Sequence, residues 1–115
     1  MSVQNAALNA AVAGVTAIVT HHSLHTADGG STGANEITGG AYSRWVPSYV
    51  AGAAGIQDID TPEEFGGPAA SSTVTHLGFW NGTTWLGSVA LAASKTIGPG
   101  DTLTVTSAPI QVTAA

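Results

Sequence analysis

The chain contains no cysteine in 115 residues, which excludes a disulfide framework, a thiol nucleophile and a thiolate metal site and leaves the redox compartment open. Positive charge is nearly absent. Arg44 and Lys95 are the only cations, against seven Asp and Glu, for a net charge of −5. A surface without a basic footprint displaces no counterions from phosphates, so nucleic acid is excluded as a partner. Charge of either sign is scarce, at 8% of residues against about 25% in ordinary soluble domains. A folded chain of this mass presents roughly 5,700 Å² of surface, most of which must be covered by Thr, Ser, Ala, Gly and apolar atoms. A subunit packed among copies of itself, or an extracellular module, tolerates so little charge more easily than a free cytosolic protein does. Long hydrophobic runs are missing too. The alanine-rich stretch from Ala6 to Ala17 is broken by Asn9, and the first residues carry no Lys or Arg. No signal peptide, transmembrane helix or membrane partner is expected.

What is present reads as one domain over residues 1–115. Leu8, Val12 and Val15 fall at i, i+4 and i+7, which predicts one short N-terminal helix over about residues 3–16 that lays this stripe on a sheet. From there the pattern turns extended. Two long loops are expected, about 27–40 and about 51–72, the second with an extended piece near Ile56 to Ile59. Thr73 to Trp80 and Thr83 to Ala92 are β-rich runs flanking Asn81-Gly82, the pair suited to a type I′ hairpin turn. That turn predicts a hairpin over 73–92 with Gly78 opposite Trp85, the indole lying over bare backbone. Gly98-Pro99-Gly100-Asp101 has the Pro and Gly positions of a type II turn. The fold class expected is mainly β, an antiparallel β-sandwich of about six to eight short strands with one short N-terminal helix.

Candidate chemistry is thin. His21, His22 and His25 form H-H-x-x-H, but an extended strand puts 21 and 25 on one face and 22 on the other, so strand histidines are a better reading than a metal site. Asp58, Asp60, Glu63 and Glu64 lack the glycine of a calcium loop and read as a solvated acidic loop. No nucleophile elbow, phosphate loop or zinc-protease helix occurs, so no catalytic residue, metal or cofactor is expected and the chain is not read as an enzyme. Trp45, Trp80, Trp85, Tyr42 and Tyr49 allow a glycan-binding module as an alternative, against the simpler reading that the core claims them. The stretch from Ser23 to Arg44 is the most individual part. Its glycines, with Asp28, Asn35 and Glu36, suit an irregular loop held by backbone hydrogen bonds. Arg44, a lone cation, is expected to pair with Glu36 or Asp28, or with an acidic group of a neighbouring subunit. Arg44, Trp45, Asp28, Asn35, Glu36 and Tyr42 are the candidate binding or interface residues.

Ser23-Leu24-His25-Thr26-Ala27-Asp28, Thr32-Gly33-Ala34-Asn35-Glu36-Ile37, Gly39-Gly40 and Tyr42-Ser43-Arg44 resemble a family of small virion proteins of tailed bacteriophages and prophages. Its members are usually described as tail-fibre or minor tail proteins. Val74-Thr75-His76-Leu77-Gly78-Phe79-Trp80, Leu86-Gly87-Ser88, Ala90-Leu91, Ala93-Ser94 and Gly100-Asp101-Thr102-Leu103 carry the resemblance through the second half. Gly29 stands where the family commonly has proline, and Val46 to Ser72 matches no family motif. The resemblance implies a structural protein located in the virion, with other virion proteins (major capsid or tail proteins) as partners and a homo-oligomer, by virion habit a trimer. It implies no catalytic residue. The absence of heptads and fibrous repeats inclines the reading towards a capsid decoration or minor capsid role over a minor tail one. The alternative is a receptor- or glycan-binding module at a tail tip.

Overall fold

The structure, a computed structural model, describes residues 5–51, 56–106 and 110–111. Among the described residues one helix, α1 (Asn5–Ile18), precedes eight strands: β1 (His21–His25), β2 (Tyr49–Ala51), β3 (Ile56–Ile59), β4 (Glu63–Gly66), β5 (Ser72–Asn81), β6 (Thr84–Ile97), β7 (Thr102–Val105) and β8 (Ile110–Gln111). All pairings are antiparallel, in three sheets ordered β1-β5-β6, β2-β3-β8 and β4-β7. The fold is mainly β with one short N-terminal helix, the class the sequence predicts. Leu24, Ile37, Ile59, Phe65, Val74, Leu77, Ile97, Leu103 and Val105 bring all three sheets onto one core. At about 25 cal/mol per Å² of apolar surface removed from water, this shared burial dominates the stability of so small a chain.

The segment read as a loop over 51–72 supplies two strands. Ile56–Ile59 is the expected extended piece, and Glu63–Gly66 pairs with β7. In β4 the pattern Glu63-Glu64-Phe65 alternates buried, exposed, buried. A carboxylate therefore occupies an inward position, which hides the strand period from a search for alternating apolar residues.

The β5–β6 hairpin forms, with a register one step from the predicted one. Asn81 pairs with Thr84 and Trp80 with Trp85, so the turn residues are Gly82 and Thr83. Gly82 has φ +59°, and glycine at the first central position is the type II′ arrangement. A bulge follows where Phe79 pairs with Gly87, so Gly78 is opposite Ser88. Trp85 still lies against Gly78, where a Cβ would press on its ring 2.7 Å away. The predicted contact is made diagonally.

In its last turn, where the side chains are described, the helix departs from its expected seating. Thr16, outside the Leu8, Val12 and Val15 stripe, donates through Oγ1 to Gln57 Oε1 on β3 at 2.8 Å. Val15 is 39% exposed and Ile18 46% exposed. Leu8 and Val12 lie outside the residues whose side chains are described. Among the described residues, no helix is long and apolar enough to cross a membrane.

Candidate functional site

Strand β1 organises the molecule because both of its faces are covered. Leu24 and His22 pair with Leu77 and Phe79 on the core side, while Ser23 and His25 pair with Gly78 and His76 on the other. The second edge of β1 is closed by bridges from His22 to Trp45 and from His25 to Glu36. The loop from Thr26 to Glu36 thereby folds over the outer face of the β1–β5–β6 sheet.

The polar groups of that loop satisfy one another. Asp28 Oδ1 accepts from Gly30 N at 3.0 Å and from Ser88 Oγ at 2.8 Å. These hydrogen bonds, Gly30 first, hold the Asp28 carboxyl below its ordinary range. Asn35, at φ +69°, donates through Nδ2 to Asp28 O at 3.1 Å. Asparagine tolerates this left-handed backbone better than most residues. Gly33, at φ +79°, lies against Trp80 and Trp85 with no room for a Cβ. The two indoles meet edge to face at 5.0 Å, and Trp85 Nε1 donates to Gly30 O at 2.9 Å.

Arg44 forms the second half of the site. It grips Glu36 with two hydrogen bonds, Nε to Oε2 at 2.9 Å and Nη2 to Oε1 at 2.8 Å. Its guanidinium lies 3.8 Å above the centre of the Trp80 ring, a cation–π contact. Tyr42 donates to Glu36 Oε2 at 2.7 Å and accepts from Leu24 N at 3.0 Å. Burial alone would raise the Glu36 carboxyl, but the hydrogen bonds from Arg44 and Tyr42 and the Arg44 charge outweigh it and hold the group low. Burial, then the bond to Glu36, pushes the Tyr42 phenol well above its ordinary value. The partner of Arg44 is thus Glu36, the first of the alternatives the sequence leaves open. Five of the six candidate residues, Asp28, Asn35, Glu36, Tyr42 and Arg44, fall in this loop and its flank. Trp45 does not join them: on an extended segment it points opposite to Arg44 and packs against Phe65 in the core.

Sequence reasoning missed a buried constellation. Glu63, read as part of a solvated loop, is fully buried. Its Oε1 accepts from His22 Nδ1 at 2.8 Å, and His22 Nε2 meets the Tyr49 hydroxyl. Glu63 Oε2 is buried with no hydrogen-bond partner among the described residues. This carboxylate–imidazole–phenol chain ties β4, β1 and β2 together. Tyr49 is pushed above its ordinary ionisation range, by burial first and then by the Glu63 charge. The available signal was the period-2 position of Glu63 two residues before Phe65.

Asp58 and Asp60, from the acidic stretch, also accept hydrogen bonds. Asp58 Oδ1 accepts from Ile59 N at 2.8 Å and Asp60 Oδ2 from Ser48 Oγ at 2.8 Å. Among the described residues no three His, Cys, Asp or Glu come together as a metal set. The H-H-x-x-H rings diverge: His21 contacts Thr20, His22 contacts Glu63, and His25 contacts Ser23. An open groove of about 420 Å³ between the ends of β6 and β7 is lined by Lys95 to Ile97 and Asp101 to Thr104. It contains none of the candidate residues.

Fold and site together define a small, charge-poor antiparallel β protein whose conspicuous polar groups fasten its own loops, the character of an assembly component. The family described as Podophage GP4 fiber I protein gp80 matches residues 1–113, and the chain belongs to it. It is a structural protein of a bacteriophage virion, of the fibre type. No curated protein and no solved structure matches the chain.

Proposed function

We propose that this chain is a non-enzymatic, minor tail component of a podophage fibre that docks on neighbouring virion proteins and associates with copies of itself. The observation that carries the reading is family membership across residues 1–113, and the family's fibre description favours a tail position over the head decoration to which the lack of repeats inclines. The surface supports docking through α1 and β2. Val15 and Ile18 on the helix are exposed, as are Val46 before β2 and Val50 within it, at 69% and 51%. The helix packs beside β2, so four of the exposed large apolar side chains lie on neighbouring segments, as at protein–protein contacts.

Two polar arrangements bear on catalysis and neither offers an activated nucleophile. Ser23 and His25 are fully buried, and Tyr49 ends the Glu63–His22 chain with its ionisation pushed up. The glycan-binding alternative has less support, because Trp80 is capped by Arg44 and Trp85 is held by the loop.

Mass spectrometry of dissected particles tests the placement. Recovery with tails and fibres is expected; recovery with heads would return the decoration role. Val15→Asp with Ile18→Asp should leave a folded chain that no longer enters particles, and normal incorporation would remove α1 from the docking surface.

A further inference from the structure

His25 is fully buried beneath the loop, and its two ring nitrogens have distinct partners. Nδ1 faces Ala34 O at 2.8 Å; a carbonyl only accepts, so Nδ1 carries the proton. Nε2 faces Ser23 Oγ at 2.6 Å, and Ser23 Oγ accepts from Trp80 Nε1 at 2.8 Å. With the imidazole neutral, Nε2 accepts a hydrogen bond from the Ser23 hydroxyl and every group is satisfied.

We propose that His25 is an acid-sensitive latch on the Thr26–Glu36 loop, holding it closed over Trp85 while the imidazole is neutral and releasing it when Nε2 takes a second proton. That proton converts Nε2 from acceptor to donor and deprives the buried Ser23 hydroxyl of its acceptor. It also creates a cation where little water reaches. The groups facing it are His76 opposite on β5, Glu36 bridged to it in the loop, Asp28 at the start of the loop, Arg44 beyond Glu36, and the Trp85 ring 5.1 Å away. The carboxylates favour the imidazolium while Arg44 and His76 oppose it. Burial is the largest influence, and His25 lies below the ordinary histidine value.

The loop is the part able to yield. Two of its fastenings to β6, Ser88 to Asp28 and Trp85 to Gly30, are exposed hydrogen bonds, a third, from Gly29 N to Ser88 Oγ, is long at 3.5 Å, and such bonds open locally before a core does. Opening would hydrate His25, restore water to the Ser23 hydroxyl and uncover the Trp85 ring. None of this depends on where the protein docks.

Nuclear magnetic resonance of the intact chain from about pH 7.5 to about pH 4.5 tests the latch through the Trp85 indole N–H, the loop amides and the imidazole C–H signals. The loop and Trp85 signals should shift with the His25 midpoint, below the ordinary histidine value, while core amides hold. His25→Gln should abolish that shift. A loop that stays fixed while His25 titrates, one that moves only with the carboxylates, or a His25→Gln chain that keeps the transition would each overturn the proposal. Should His25→Gln fail to fold, His76→Asn decides: removing the opposing group moves the shared midpoint up, and an unmoved midpoint counts against the latch.

Discussion

Arg44 and His22 each hold a glutamate, in surroundings that give the two pairs different weights. Arg44 and Glu36 are partly exposed, at 31% and 17% of their side chains, so solvent screening limits their worth even in a bidentate geometry. Arg44→Ala should cost about 1–2 kcal/mol, including the contact with Trp80. His22 and Glu63 are buried to 0% and 1%. His22→Ala strands the Glu63 carboxyl without a donor and should cost about 3–5 kcal/mol; urea denaturation of the two variants should rank them in that order. Acid acts through the same kinds of group. His25 has a folded value below its unfolded one, so its contribution is complete above about pH 6.5 and is lost as the pH falls further. Glu36 and Asp28 are likewise depressed, so theirs is present above about pH 4 and lost below it. Stability measured against pH should decline in those two windows, and a maximum near pH 5 would contradict the signs.

At the scale of elements, two glycines separate space from backbone freedom. Gly33 combines φ +79° with ring atoms of Trp80 and Trp85 closer than any Cβ allows. Gly33→Val should therefore cost about 3 kcal/mol or more through strain and displacement of the indoles, seen as a lowered thermal midpoint. Gly14, inside α1, has open space around its Cβ position, and Gly14→Ala should stabilise by about 0.5–1 kcal/mol. The hairpin shows how far an element is legible in a sequence. Its strands and the neighbourhood of its turn follow from β-branched residues flanking Asn81-Gly82. Its register does not, because Asn81-Gly82 and Gly82-Thr83 are both adequate turns. Pairing Trp80 with Trp85 under the glycine loop stabilises the second, and the Leu86–Gly87 bulge absorbs the offset. The orientation of α1 was illegible for a related reason: alanine on most faces leaves the helix several seatings, and one bond from Thr16 to Gln57 accompanies the seating with Val15 outward.

For the whole molecule, scarcity of charge predicts the manner of association. The docking surface proposed on Val15, Ile18, Val46 and Val50 would gain little from Coulomb attraction, so particle incorporation or self-association should persist between about 0.05 and 0.5 M salt, where ionic contacts are screened. Sedimentation across that range is the check, and dissociation at high salt would redirect attention to the acidic residues and Lys95. Membership of a phage fibre family accords with so few charges, since a virion subunit whose surface is covered by neighbours has less to keep in water than a free protein.

The sequence by itself determined the class of fold, the presence of one helix and the hairpin, which depend on local spacing, turn chemistry and composition acting over a few residues, and its motifs carried the resemblance to the family. Only the tertiary structure decided that Glu63 is buried with His22, that Trp45 faces the core, that His25 is sealed beneath the loop and that Val15 faces outward. Each of these depends on which face of a strand or helix meets a distant segment. A polar side chain in an extended run carries no local mark of whether a partner forty residues away will satisfy it.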